Sequence, residues 1–273
     1  FLFSTPFGID LKLELYKRDT LFLNLNRNIG VQFQMSGNNY IKAFYEARST
    51  NLLSVSGLEN ITSIGQLKYI DVSTNLYGLS YNLEKLDYRF NPRRGVAVLA
   101  SASVGNKNIR KNPGINEEAY EGTKLKTLQV SGQLNLDYFI PIPTRSTVKL
   151  GLQSAYLYNE QLFENELFRI GGLKTLRGFD EESIFASMYA ISTLEYRFLL
   201  EQNSYLLAFV DYAYYERITS TEKVIDRPVG FGAGISFETK IGIFSLNYAL
   251  GRQFENPIQF RAAKIHFGFV NRF

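Results

Sequence analysis

Apolar and polar residues alternate with a period of two along almost the whole chain. Ile9, Leu11, Leu13 and Leu15 are interleaved with Asp10, Lys12 and Glu14, and Ile29, Val31, Phe33 and Met35 with Gly30, Gln32 and Gln34. The same alternation recurs at 41–47, 77–83, 96–102, 128–138 and 148–156, then at 194–198, 210–214, 231–237, 244–250 and 265–273. Successive side chains of a strand point to opposite faces, so each stretch presents one apolar, aromatic-rich face and one face of polar residues and glycine. The pattern predicts twelve strands of roughly 10–15 residues, longer than the five or six usual in soluble sheets. A soluble sandwich would bury the apolar faces against each other. A membrane barrel turns them to lipid and keeps the polar set inside. The expected fold is therefore all-β, a transmembrane antiparallel β-barrel, with residues 1–273 as one barrel unit. The prolines (Pro6, Pro92, Pro113, Pro141, Pro143, Pro228, Pro257) are expected in connections or at strand starts, where no ladder donor is lost.

The predicted connections alternate in length. Ser36–Asn39, Glu201–Ser204 and Glu238–Lys240 are short, whereas Thr50–Val72, Val104–Lys124, Asn159–Met188 and Tyr215–Arg227 are long. Short periplasmic turns and long outer loops are the asymmetry of outer-membrane barrels, which puts both chain ends on the periplasmic side. One long connection contains Arg169-Ile170-Gly171-Gly172-Leu173-Lys174-Thr175-Leu176-Arg177-Gly178-Phe179-Asp180 and continues to Ser187. It is too rich in glycine for a strand and too long for a tight turn. Long loops in compact barrels are usually functional. Two readings are open: the loop folds back into the lumen with Arg177 held by acids on the next two strands, or it is a solvated surface loop.

Composition narrows the chemistry. The chain has 18 Tyr, 22 Phe, 21 Gly and no Cys, which excludes a disulfide framework, a thiolate metal site and a cysteine nucleophile. The net charge of +4 is spread along the chain, so it points to solubility or anionic lipid headgroups and not to nucleic acid. No apolar run approaches the ~18 residues of a transmembrane helix. The N-terminus Phe1–Pro6 lacks the pattern of a signal peptide, so a mature or truncated chain is expected. No metal-ligand cluster, phosphate loop or Gly-x-Ser-x-Gly elbow is present, and no cofactor or metal is expected.

Three features together resemble the BamA/TamA superfamily of outer-membrane assembly and translocation barrels. Gly171-Gly172 followed by Leu176-Arg177-Gly178-Phe179 is similar to the family's Val/Leu-Arg-Gly-Phe/Tyr loop signature. The terminal stretch Lys264–Phe273, with Ile265, Phe267, Phe269 and Phe273 at its apolar positions, resembles the recognition signal for barrel assembly. Asn91-Pro92-Arg93-Arg94-Gly95 resembles the family's Pro-x-x-Gly periplasmic turn. The resemblance implies that the loop re-enters the lumen and that its arginine pairs with acids on the two following strands. Glu195 and Asp211 occupy those positions on the polar faces, and a guanidinium is a rigid fork suited to two carboxylates. Gly171, Gly172 and Gly178 are then expected to allow close backbone approach and positive φ. Such barrels have sixteen strands preceded by periplasmic POTRA domains. The loop lies between the fifth- and sixth-last predicted strands, as in the family, so this chain is expected to supply strands five to sixteen of a longer protein.

The resemblance implies a protein-assembly or translocation barrel in the outer membrane of a Gram-negative bacterium, without bond chemistry. Its functional seam is where first and last strands meet, opening sideways to offer a backbone edge to a client strand. Gly268 in the last strand weakens that seam or simply clears the lumen. The implied partners are outer-membrane lipids including lipopolysaccharide, client outer-membrane or secreted proteins, and accessory periplasmic proteins or lipoproteins. Two alternatives compete. The barrel serves as anchor or translocator of a patatin-like lipase, or it is a passive pore plugged by the glycine loop. A Ser/His lipase on the barrel itself would have to use His266, the only histidine, which alternation points inward.

Overall fold

A computed structural model describes residues 5–18, 20–54 and 61–271; Phe273 of the expected assembly signal lies outside the described residues. The strands are β1 (Phe7–Arg18), β2 (Phe22–Ser36), β3 (Asn39–Leu52), β4 (Val72–Leu86), β5 (Gly95–Ile109), β6 (Lys126–Ile142), β7 (Ser146–Tyr158), β8 (Phe168–Ile170), β9 (Ile184–Ala186), β10 (Met188–Leu199), β11 (Tyr205–Ile218), β12 (Lys223–Asp226), β13 (Val229–Thr239), β14 (Gly242–Arg252) and β15 (Lys264–Val270). Twelve of them form one antiparallel meander in the order β1-β2-β3-β4-β5-β6-β7-β10-β11-β13-β14-β15, while β12 pairs with β11 and β8 with β9 in a separate ribbon. All twelve predicted strands are therefore present. The meander is open at β1 and β15, which are not neighbours in the hydrogen-bonded order among the described residues.

The alternation decides which face is which. Leu11, Leu13 and Leu15 of β1 are 68–73% exposed. Ile29 and Val31 of β2, Tyr77 and Leu79 of β4, and Phe267 and Phe269 of β15 are exposed in the same way. Apolar area left in water costs roughly 25 cal/mol per Å², so a continuous wall of such residues is stable only against hydrocarbon. No described helix is long and apolar enough to cross a membrane; the strands take that role.

Two connections differ from the sequence expectation. β5 runs on to Ile109, past the expected break at Val104, because Gly105 to Asn108 keep pairing with Leu76–Ser73 of β4 and with Gln129–Lys126 of β6. The expected long connection Tyr215–Arg227 is mostly sheet: β11 continues to Ile218 and pairs with β12 from Tyr215↔Asp226 to Ile218↔Lys223. Its tip is closed by the Arg217–Glu222 ion pair at 3.1 Å. Pro141 also lies inside β6, one residue from its end, facing Thr147; beside a turn the missing donor costs little.

Three long connections pack on one another at one end of the sheet. Ile64, Leu67 and Ile70 from the β3–β4 connection meet Ile115, Ala119 and Tyr120 from β5–β6 and Phe163 from β7–β8. Beneath this cluster Lys107 is fully buried. Its Nζ lies 2.5 Å from Glu166 Oε2 and 2.5 Å from the carbonyl of Gln161, and 4.9 Å from the Phe163 ring. Lys107→Met should loosen this cap locally, by about 1.5–3 kcal/mol for the lost charge-assisted hydrogen bonds. Limited proteolysis should then cut within 159–167 while the sheet stays intact. Unchanged protection there would show that the apolar cluster alone seats the cap.

Candidate functional site

Residues 159–187 leave the long-loop end of the sheet and turn back along its inner face. The ribbon β8–β9 forms the stem, with Phe168 opposite Ala186 and Ile170 opposite Ile184. At its tip Gly171 and Gly172 take φ of +113° and +94°. A Cβ on Gly171 would stand 2.3 Å from the Asp180 carbonyl oxygen, so the two sides of the loop touch through backbone. Thr175 closes the turn: its Oγ1 accepts from the Gly171 N–H at 2.8 Å and donates to the Gly171 carbonyl at 3.0 Å. Ile170, Leu176, Phe179 and Ile184 of the loop pack on Ile191 of β10 and on Ala213 and Tyr215 of β11. The inner wall is apolar where the loop lies on it, unlike the polar face expected throughout.

This packing delivers Arg177 to the acids. Its Nε and Nη2 donate to Asp211 Oδ2 and Oδ1, each at 2.8 Å, and its Nη1 donates to Glu195 Oε2 at 2.5 Å. Its backbone N–H also donates to Asp211 Oδ2 at 3.2 Å. The guanidinium lies 3.5 Å from the centre of the Phe209 ring, a cation–π contact in a site with little water. Asp211 is fully buried and accepts a further bond from Thr193 Oγ1 at 2.8 Å. The second oxygen of Glu195 accepts from Arg197 Nε at 2.7 Å. Two cations and two anions thus balance in a buried quartet. Glu195 is seven residues into β10, about 23 Å from its start at ~3.3 Å per residue, so the loop reaches beyond the strand's midpoint.

Glycines let the loop backbone sit directly on the wall. Gly178 has φ of +93°, and a Cβ there would be 2.5 Å from the Leu250 carbonyl of β14. A Cβ on Gly230 of β13 would be 1.8 Å from the Arg177 carbonyl oxygen. The Gly178 N–H donates to His266 Nε2 of β15 at 3.0 Å, which engages the imidazole lone pair and leaves it no free base. Asp180 pairs with Lys264 of β15 at 2.7 Å. At the other end of the meander Arg169 stacks on the Tyr16 ring of β1 at 3.4 Å and pairs with Glu182 at 3.1 Å. One loop therefore touches both terminal strands.

Arg177, Glu195 and Asp211 come together, and Gly171, Gly172 and Gly178 adopt positive φ. Phe179 is buried against the wall. Ile265, Phe267 and Phe269 stand on the outward face of β15, and Gly268 faces inward, where a Cβ would meet Leu173 Cδ2 at 2.5 Å. Arg197, Phe209, His266 and Gly230 were not among the expected site residues. Alternation puts all four on the inner face, with Arg197 and Phe209 beside Glu195 and Asp211; nothing in the sequence marks His266 and Gly230 as the points where the loop backbone lands. Among the described residues no group of three or more His, Cys, Asp or Glu is placed to hold a metal.

A lipid-facing antiparallel wall with a charged loop seated on its inner face defines a membrane β-barrel. The model of the Omp85 superfamily domain matches residues 7–273, and the chain belongs to the Omp85 superfamily, which makes it an outer-membrane barrel. Among solved structures it is similar to the crystal structure of BamA from Haemophilus ducreyi lacking POTRA domains 1–3, with a TM-score of 0.67 and 15% identity over 96% of this chain and 57% of that one. It is also similar to CdiB from Acinetobacter baumannii, with a TM-score of 0.45 and 16% identity over 96% of this chain and 53% of that one. The chain spans little more than half the length of either. No curated protein matches it by sequence.

Proposed function

We propose that this chain is the wall of an outer-membrane barrel that inserts client proteins into that membrane or passes them across it, by sideways opening of a seam and without bond chemistry. The observation that carries this reading is the seating of the loop. A plug that only narrows a pore has no need of a guanidinium shared between two strands, nor of glycines that bring three further strands onto its backbone. In this reading Arg177, Glu195 and Asp211 are a lock that keeps the wall in shape while the seam works. Phe267, Phe269 and Ile265 supply the lipid-facing side of the last strand, whose backbone edge takes a client strand by β-augmentation. Gly268 gives Leu173 room. Lipopolysaccharide and other outer-membrane lipids border the aromatic face, and accessory periplasmic proteins or lipoproteins meet the short-turn end.

The test uses the full-length protein in its native membrane with a photo-crosslinking amino acid in place of Phe269. Adducts with newly made outer-membrane or secreted proteins are expected, and they should vanish when client synthesis is stopped. Absence of client adducts, together with a large steady conductance indifferent to Arg177→Lys, would replace this reading with the plugged pore.

A further inference from the structure

The buried quartet does not end at Glu195. Arg197 lies two residues further along β10, toward the short-turn end, with its guanidinium 4.9 Å from the Tyr205 ring and 5.3 Å from the Phe139 ring. Its Nη1 donates to Asn91 Oδ1 at 3.0 Å. Asn91 belongs to the β4–β5 turn, yet it is 3% exposed, because that turn folds under the lumen to reach the β10–β11 turn. There Asn91 Nδ2 donates to the Gln202 carbonyl at 2.9 Å. The turn is stiff in itself: Asp87 Oδ1 accepts from the N–H groups of Arg93 and Arg94 at 3.0 and 3.1 Å. It is tied again through Tyr88 Oη, which accepts from Asn203 Nδ2 at 3.2 Å.

We propose that Arg197 is a positioning residue that couples the inserted loop to the β4–β5 turn at the opposite end of the wall, through the chain Arg177–Glu195–Arg197–Asn91. The coupling follows from sharing. Glu195 gives one oxygen to each guanidinium, so release of Arg177 leaves Arg197 as the one guanidinium bonded to it, and the pair re-centres. The Tyr205 and Phe139 rings flank Arg197, and Asn91 holds its Nη1 at 3.0 Å, so a shift of the guanidinium is felt at Asn91. Coupling between two sites is reciprocal. A partner that draws the turn off Arg197 therefore weakens the hold on the loop by the same factor, which gives a periplasmic partner a handle on the lock. The inference rests on the lock proposed above, though not on the identity of any client.

Hydrogen–deuterium exchange on the full-length protein in lipid nanodiscs tests it. Arg177→Lys should speed exchange in residues 87–94 about tenfold, and Asn91→Ala should speed exchange in 171–183 by a similar factor. With Arg197→Met in place, Arg177→Lys should add nothing further at 87–94. Faster exchange confined to 171–183 in Arg177→Lys, with 87–94 unchanged, overturns the coupling. Should Arg177→Lys fail to fold, Asn91→Ala puts the same question from the other end, and unchanged exchange at 171–183 overturns it equally. Normal coupling in a protein that forms no client adducts would sink the assembly reading and leave this inference standing.

Discussion

Arg177→Met is expected to destabilise the barrel by about 3–5 kcal/mol, the cost of breaking a buried ion cluster by removing one partner. The loss is large because three side-chain bonds and a ring contact go at once. What remains is worse than their absence: Asp211, fully buried, loses the guanidinium it was paired with, and Glu195 keeps only its bond to Arg197. Charge counting sharpens the expectation. The double variant Arg177→Met with Asp211→Asn leaves one cation and one anion, Arg197 and Glu195, already paired at 2.7 Å. It should be more stable than Arg177→Met alone, a non-additivity expected only of groups in contact. Arg177→Lys should fall between wild type and Arg177→Met, since an ammonium cannot reproduce the planar fork. The measurement is the temperature at which the folded barrel loses its fast migration on unheated gels. Wild-type behaviour of Arg177→Met, or strict additivity in the double variant, would show that the quartet carries no weight.

Gly230→Ala should be nearly as damaging, although it removes no interaction. The new methyl would sit 1.8 Å from the Arg177 carbonyl oxygen, where ordinary contact begins at 3.4 Å. Backbone must give by about 1.6 Å, and both backbones are committed: Gly230 is paired with Asp211 and with Gly251 in the ladder, and Arg177 is held by its own quartet. A shift of that size breaks hydrogen bonds of 2.5–2.8 Å. The expected loss lies between the ~3 kcal/mol upper range of overpacking and the ~5 kcal/mol of a broken buried ion pair. Gly132→Ala is the control, because a Cβ there meets only the Ser101 carbonyl, at 3.9 Å. If the two alanine variants unfold at the same temperature, the loop is not pressed against the wall at Gly230.

The wall was legible in the residues because a strand's two faces meet different surroundings and period-two alternation records that difference directly. Where both faces of a strand are apolar the record blurs. Leu207, Phe209, Ala213 and Tyr215 face inward on β11 and are buried, which alternation alone reads as polar lumen. The strand ends at Ile109 and Ile218 were misjudged for a related reason. There the pairing of neighbouring backbones sustains the strands, and that pairing leaves no mark on the hydropathy of either one.

The acids on β10 and β11 were placed by alternation, and their pairing with Arg177 was suggested by the resemblance of Gly171-Gly172 and Arg177-Gly178-Phe179 to a known loop signature. Arg197 lay in view on the face of Glu195, but its partner Asn91 is 106 residues away in the chain. His266 and Gly230 became part of the site only because the loop backbone lands on them. The sequence by itself determined the twelve strands of the meander, the face each turns to lipid and the set of charges available inside. The tertiary structure decided which of those charges meet, how deep the loop reaches and which glycines make room for it. Periodicity is a property of neighbours in the chain, whereas a buried charge finds its counter-charge through the fold.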